Sequence, residues 1–151
     1  MNGKLSIDSD MDLEVIKIKL TLQSKKQEVT IFLKQLKELL GKEDFDIDKD
    51  ITIIRTKKKK EDERYSTPYT LLALNYDTSD VVDRLKELTV REYSETLVDK
   101  DDLNPPLLFV FGKNINNKLI YVKLKMKGNL SDHILCVSFH YAKEKMLFPY
   151  A

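Results

Sequence analysis

The chain has 151 residues, of which 42% are hydrophobic and 34% charged, and its formal net charge at pH 7 is +1. This length and apolar content exclude a generally disordered chain and favour a single domain over residues 1–151 with its own hydrophobic core. No apolar run approaches the roughly 20 residues that cross a bilayer, and no signal-peptide pattern opens the sequence. We therefore expect a cytoplasmic protein that does not use a membrane as a partner.

The cysteine, histidine and glycine content limits the cofactor chemistry. Cys136 is the single cysteine and cannot form an internal disulfide, which fits a reducing compartment. Its apolar neighbours favour a small core residue over a nucleophile. His133 and His140 do not complete a zinc-ligand spacing, and the four glycines form no phosphate-binding loop. We expect neither a metal nor a small-molecule cofactor.

The balance of charges changes along the chain. Residues 66–112 carry nine acidic and four basic side chains, a balance of −5, whereas residues 113–151 carry seven lysines and two acidic side chains, a balance of +5. One interpretation is an uneven solvated surface. The other is a local positive field in the last third of the chain that attracts a polyanion. The lysine run at 57–60 has the same two interpretations, a solvated loop or a nucleic-acid contact.

The first elements in chain order are a tail, a strand and a long helix. Residues 1–12 are polar and predict a flexible tail, and alternating apolar side chains over 16–22 predict a half-buried strand. Ser24, with a glutamine three residues later, predicts the start of a helix over 24–40, and Gly41 predicts its end. The apolar stripe of this helix consists of Val29, Phe32, Leu33, Leu36, Leu39 and Leu40.

A short strand and a helical middle follow. The β-branched run at 51–55 predicts the strand. Residues 67–95 are predicted as the helical middle, with Thr67 before a proline as the first N-cap and Asp77 as the second. Thr89, with a glutamate three residues later, predicts a third start of helix.

The end of the chain predicts an antiparallel sheet over residues 107–140. An apolar strand over 107–111 is expected to stop at Gly112, and strict alternation predicts a strand over 119–127. The next strand is predicted over 134–140. The fold class is therefore α+β, a small antiparallel sheet whose C-terminal three-strand meander packs against helices.

The register of the last hairpin follows from its apolar pattern, because a slip by one residue would exchange the two faces. The predicted apolar pairs are Met126 with Leu135, Leu124 with Val137, and Val122 with Phe139. This register places Tyr121 opposite His140 and Lys123 opposite Ser138, with Cβ atoms about 4.5–5.5 Å apart. A phenol, an ammonium, a hydroxyl and an imidazole would then share one face of the sheet.

Such a set of side chains suits the cleavage of RNA. Histidine ordinarily titrates near neutral pH, so His140 can act as acid or base, while Tyr121 can donate or orient and Lys123 can hold the phosphate. These three are the predicted catalytic residues. The predicted RNA contacts are Lys113, Lys125, Lys127 and Ser138. The alternative is the solvent side of a sheet, on which lysine stems cover apolar surface.

Four segments resemble the MqsR family of toxin–antitoxin ribonucleases, and in particular its divergent branch in Gram-positive bacteria and mobile elements. They are Leu88–Tyr93, Phe109–Lys113, Ile120–Lys123 and Cys136–His140. The resemblance covers roughly residues 66–145, and its most specific part is the spacing of Tyr-x-Lys before Ser-Phe-His. It implies a RelE-like fold, cleavage of mRNA without a metal, and neutralisation by a cognate antitoxin protein.

Two departures from this family keep other functions open. Ser94 stands where the better-known members have a lysine, and Val110 or a neighbour stands where they have a glutamine. The first hypothesis is an endoribonuclease toxin with RNA and an antitoxin as partners. The second is a non-catalytic mobile-element protein of the same fold that binds and inhibits a host protein, and the third is an RNA-binding module.

Overall fold

The computed structural model of the chain describes residues 21–56, 62–98, 107–127 and 132–151. Within these residues the helices are α1 (Lys26–Leu40), α2 (Thr67–Leu74) and α3 (Thr78–Lys86), and the strands are β1 (Thr21–Leu22), β2 (Ile51–Ile53), β3 (Tyr93–Leu97), β4 (Leu108–Ile115), β5 (Lys118–Lys127) and β6 (His133–Tyr141). Two short 3₁₀ helices, Glu63–Tyr65 and Val90–Glu92, precede α2 and β3. The predicted tail over 1–12, most of the strand predicted over 16–22 and the lysine run at 57–60 lie outside the described residues. No helix in the described part of the chain is long and apolar enough to cross a membrane.

The six strands form one sheet in the order β1-β3-β4-β5-β6-β2. Neighbouring strands are antiparallel, except that β2 runs parallel to β6. The predicted α+β class is confirmed, and β4, β5 and β6 lie side by side in chain order. The sheet is nevertheless larger than a three-strand meander, since two strands extend it on one side and a parallel strand on the other.

The prediction of a helical middle over 67–95 is wrong at its end, because the chain forms strand β3 from Tyr93 onwards. Thr89 does start a helical turn, and its backbone N–H donates to Glu92 Oε1 at 3.0 Å. That turn ends after one 3₁₀ turn, and the chain enters β3 at Tyr93, which pairs with Phe111 of β4. The local capping signal was correct, but pairing with β4 sets the conformation of the residues that follow.

The prediction that strand β4 ends at Gly112 is wrong. The strand runs on to Ile115, and the chain reverses at Asn116 and Asn117, whose φ values of 54° and 66° are typical of a two-residue hairpin turn. Gly112 is required for another reason. A Cβ at this position would lie 2.7 Å from Cζ of Phe148, so the missing side chain leaves room for that ring.

Helix α1 buries the predicted stripe and ends at the predicted residue. Val29, Phe32, Leu33, Leu36 and Leu40 are all buried against the sheet. Its start is shifted, because Lys25 is the N-cap and its backbone N–H donates to Glu28 Oε1 at 2.7 Å. Ser24, predicted as the cap, instead shares a hydrogen bond of 2.7 Å with the Thr96 hydroxyl inside the core.

The caps of α2 and α3 differ in how well the sequence predicts them. Asp77 caps α3 as expected, since its side chain accepts from the Asp80 backbone N–H at 3.1 Å. In α2 the cap is Ser66, which accepts from the Tyr69 backbone N–H at 3.2 Å, and Thr67 is already helical. The Thr67 hydroxyl accepts instead from the backbone N–H of Phe139, so it ties the helix to the sheet.

Both faces of the sheet carry apolar clusters. The main core lies between the helices and the sheet and includes Val122 and Phe139 at 0% exposure. A second cluster lies on the other face and consists of Leu97, Leu108 and Val110, with Tyr121, Val137 and Met146 packed against it. The face predicted to be the open, polar side of the hairpin is therefore partly covered.

Candidate active site

Tyr121 and His140 are cross-strand neighbours on one face of the β5–β6 hairpin, as the sequence predicts. Their rings are stacked, with centroids 5.1 Å apart and planes inclined by 10°. Lys123 lies opposite Ser138 on the same face. The three predicted catalytic side chains and one predicted RNA contact are thus brought together by four strand positions.

The predicted register is wrong beyond Ser138, because a β-bulge shifts the pairing. Leu124 pairs with Cys136 rather than Val137, and Met126 pairs with Ile134 rather than Leu135. The segment from 134 to 137 is apolar throughout, so alternation does not specify which residues face the helices. In the structure Ile134 and Cys136 are fully buried in the main core, and the extra residue, Val137, packs in the second cluster.

A backbone hydrogen bond sets the orientation of the His140 ring. Nδ1 lies 2.9 Å from the carbonyl oxygen of Tyr141. Because a carbonyl only accepts, Nδ1 is assigned as the protonated nitrogen. In the neutral imidazole, Nε2 is then the nitrogen that can accept a proton.

Tyr121 is held as a neutral phenol. Burial, first, and the negative charges of Glu95 and Glu144, second, raise the pKa of Tyr121 to about 12. A phenol in this state can donate a hydrogen bond or a proton, which fits the predicted role, and it is not a base at neutral pH. Neither glutamate was predicted as part of the site. Glu95 lies in β3, which the sequence analysis had placed in a helix, and Glu144 follows β6.

Fewer of the predicted lysines are exposed on the site face than the sequence analysis expects. Lys123 is half-buried and Lys127 is exposed at the far end of the hairpin, but Lys125 is only 2% exposed. The expectation that Lys125 faces solvent is therefore wrong. Lys113 lies on the helix side of the sheet, where its Nζ is 3.2 Å from Glu92 and 3.6 Å from Glu87.

The last ten residues, Ala142–Ala151, form a C-terminal segment that packs across the site face through residues 146–148, whereas the Tyr150 ring stacks on Tyr93 of the main core. Met146 packs in the second cluster with Tyr121, and the ring of Phe148 fills the space over Gly112, which pairs with Tyr121. The carbonyl oxygen of Leu147 accepts from the Ser94 hydroxyl at 2.7 Å. The sequence analysis assigned no structure to this segment, because it lacks any helix or strand periodicity.

His133 lies outside the candidate site and makes a contact between two strands. Nε2 of His133 lies 2.8 Å from the Thr52 hydroxyl, where it joins β6 to β2. In the described residues we find no group of three or more histidine, cysteine, aspartate or glutamate side chains that could hold a metal ion.

Comparison with known proteins adds no assignment. No family model, no curated protein and no solved structure matches the chain. The resemblance to the MqsR family therefore stays a prediction from the sequence.

Proposed function

We propose that the chain is a cytoplasmic endoribonuclease of the toxin type, with a RelE-like fold, that cleaves mRNA without a metal and is neutralised by an antitoxin protein. The observation that supports this most is the stacked pair of Tyr121 and His140, with Lys123 beside it on the same strand face. The sequence resemblance to the MqsR family supports the same activity.

Cleavage of RNA by its own 2′-hydroxyl needs three functions. A base takes the proton of the 2′-hydroxyl as its oxygen bonds to phosphorus, and an acid protonates the 5′ oxygen as the P–O5′ bond breaks. A cation offsets the negative charge that develops on the phosphoryl oxygens. The products are a 2′,3′-cyclic phosphate and a 5′-hydroxyl, so the balance of protons and bonds requires no other reactant.

The side chains of the site can be assigned to these functions. Nε2 of His140 acts as the base, because Nδ1 is engaged with the Tyr141 carbonyl. The neutral phenol of Tyr121 is assigned to the leaving oxygen; its hydroxyl is buried, so this role requires the RNA to displace the side chains that cover it. Lys123 lies on the same face to contact the phosphate. Ser138, opposite Lys123, is the remaining polar group of this row.

A second function, a non-catalytic protein that binds and inhibits a host protein, is favoured by two positions. The resemblance places a lysine at Ser94, but the Ser94 hydroxyl donates to the Leu147 carbonyl and so holds the C-terminal segment. It places a glutamine near Val110, which is 0% exposed in the second apolar cluster. In this chain, therefore, neither position supplies the lysine or the glutamine of that family.

Expression in a bacterial host distinguishes these functions. We expect the parent protein to arrest growth and His140→Ala to relieve the arrest, because loss of a general acid or base typically costs about 10²–10⁴-fold in rate. His133→Ala is the matched control, since His133 lies at the other end of β6 and contacts Thr52. Circular dichroism checks that each variant folds. A parent that is harmless at high expression, or a His140→Ala protein as toxic as the parent, would argue against the enzyme.

A further inference from the structure

Helix α2 covers the open edge of β6 beyond the end of β2. The hydroxyls of Thr67 and Thr70 accept from the backbone N–H groups of Phe139 and Tyr141 at 3.1 and 3.0 Å. Residues three apart on a helix share a face, and N–H groups two apart on a strand point to the same edge. The helix therefore takes the place of a strand at this edge, and it brings the ring of Tyr69 to Tyr141.

Aromatic rings and cations alternate on the surface that this docking creates. The rings of Tyr69 and Tyr141 meet edge to face with centroids 6.5 Å apart, and Nζ of Lys118 lies 5.3 Å from the centre of the Tyr141 ring. The Arg64 guanidinium lies 5.8 Å from the centre of the Tyr65 ring, in the turn that leads into α2. We refer to Arg64, Tyr65, Tyr69, Lys118 and Tyr141 as the aromatic–basic patch.

The members of this patch differ in accessibility. Tyr69 is 39% exposed, the Arg64 side chain is 70% exposed, and Lys118 is exposed at the start of β5. Tyr65 and Tyr141 are half-buried, and Tyr141 also packs against the main core. The Asp62 carboxylate accepts a hydrogen bond of 2.9 Å from Arg64 and offsets part of its positive charge. We therefore expect Lys118 to attract a phosphate more strongly than Arg64 does. Aromatic rings that lie beside cations offer faces on which bases can stack, and the adjacent cations favour an anionic ligand over an apolar one.

We propose that the aromatic–basic patch binds single-stranded RNA, with bases stacking on Tyr69 and Tyr141 and with Lys118 contacting a phosphate. Aromatic rings beside cations are the usual means of holding single strands without sequence preference. Tyr141 directly follows His140, and its carbonyl accepts from the His140 ring. Successive side chains of a strand point to opposite faces, so Tyr141 lies on the helix side of the sheet and the His140 ring on the other side. A single strand held on the patch would reach the candidate active site around the edge of β6, and this last step rests on the proposed function.

The test is a binding titration with a fluorescein-labelled decauridylate, carried out in the His140→Ala background so that the RNA is not cleaved. We expect Tyr69→Ala to weaken binding about tenfold, as the loss of one stacked base does, and Tyr69→Phe to retain the affinity. Lys118→Gln should lower the slope of log affinity against log salt by about 0.7, the value for one phosphate contact with a single strand. Leu72→Ala is the matched control, since Leu72 is 82% exposed on the same helix and carries no ring or charge.

The outcomes separate the patch from the catalytic proposal. If these variants bind RNA as expected and the parent never cleaves it, the patch stands and the enzyme does not. If the parent cleaves RNA and Tyr69→Ala has the same KM and affinity as the parent, the patch is wrong whatever the enzyme does. Equal weakening by Leu72→Ala and Tyr69→Ala would also overturn it, because RNA binding would then not depend on the aromatic ring.

Discussion

At the scale of single residues, the environment of Tyr121 makes a prediction about alkaline stability. Burial, first, and the charges of Glu95 and Glu144 raise its pKa to about 12, against about 10 for a tyrosine in an unfolded chain. The folded state therefore favours the neutral phenol. This contribution to stability is complete below about pH 10 and is lost as the pH rises towards 12.

Tyr121→Phe should accordingly lose less stability between pH 10 and pH 12 than the parent. Urea unfolding at constant ionic strength over this range measures the difference. Glu144→Gln should lower the pKa of Tyr121, because it removes a negative charge that opposes ionisation. A parent and Tyr121→Phe protein whose midpoints fall in parallel would show that the phenol is not held neutral by the fold.

The lysines of the hairpin should divide into two kinds when they are replaced. Lys123 is half-buried beside the stacked rings, so Lys123→Ala should weaken RNA binding and lower the salt slope by about 0.7. Lys125 is 2% exposed, so Lys125→Ala should change the free energy of unfolding and leave the salt slope as it was. RNA titrations at two salt concentrations, with urea unfolding of the same proteins, check both statements. A lower slope for Lys125→Ala alone would reverse the assignment.

At the scale of elements, the fit between β4 and the C-terminal segment can be tested at one position. A Cβ at Gly112 would lie 2.7 Å from Cζ of Phe148 and 3.1 Å from Cδ1 of Leu119. Gly112→Ala should therefore destabilise the protein by about 1–3 kcal/mol, the usual cost of overpacking. In a Phe148→Ala background the same substitution should cost much less, because the ring it displaces is gone.

A double-mutant cycle by chemical denaturation measures this coupling. Additive costs would mean that Phe148 does not occupy the space over Gly112. The Phe148 ring would then have no role in holding the face on which Tyr121 lies.

Elements with a long, consistent period could be predicted from the sequence. The apolar stripe of α1 buries as expected, and the alternation in β5 correctly places Val122 in the core and Tyr121 on the other face. The pairing of Tyr121 with His140 follows from the same pattern, because Val122 and Phe139 must share the buried face. The centre of the candidate site was therefore accessible to sequence reasoning.

The remaining features depend on contacts between distant parts of the chain. Glycine is a typical residue at the end of a strand, but Gly112 lies within β4, where the absence of a side chain leaves room for the ring of Phe148. Tyr93 follows a helix cap, yet pairing with Phe111 makes it the first residue of a strand. The bulge at Val137 lies in a run of apolar residues, where no alternation marks the register. In each case the local pattern is ambiguous and the tertiary contact decides.

At the scale of the whole molecule, one six-stranded sheet carries helices on one face and the partly covered candidate site on the other. The C-terminal segment closes part of that second face, and α2 closes the edge of β6. The proposed catalytic face and the proposed RNA-binding patch lie on opposite faces of the sheet and meet at the edge of β6, because His140 and Tyr141 are successive residues of that strand. Their cooperation is an expectation that follows from the proposed function.

The cleavage of a labelled single-stranded RNA by the purified protein in EDTA tests this account most directly. We predict that the parent produces fragments ending in a 2′,3′-cyclic phosphate, and that His140→Ala reduces the rate by at least about 10²-fold while its unfolding midpoint stays close to that of the parent. The His133→Ala protein should cleave as the parent does. No cleavage by the folded parent, or equal cleavage by the parent and His140→Ala, would contradict the proposal that Tyr121, Lys123 and His140 form an active site.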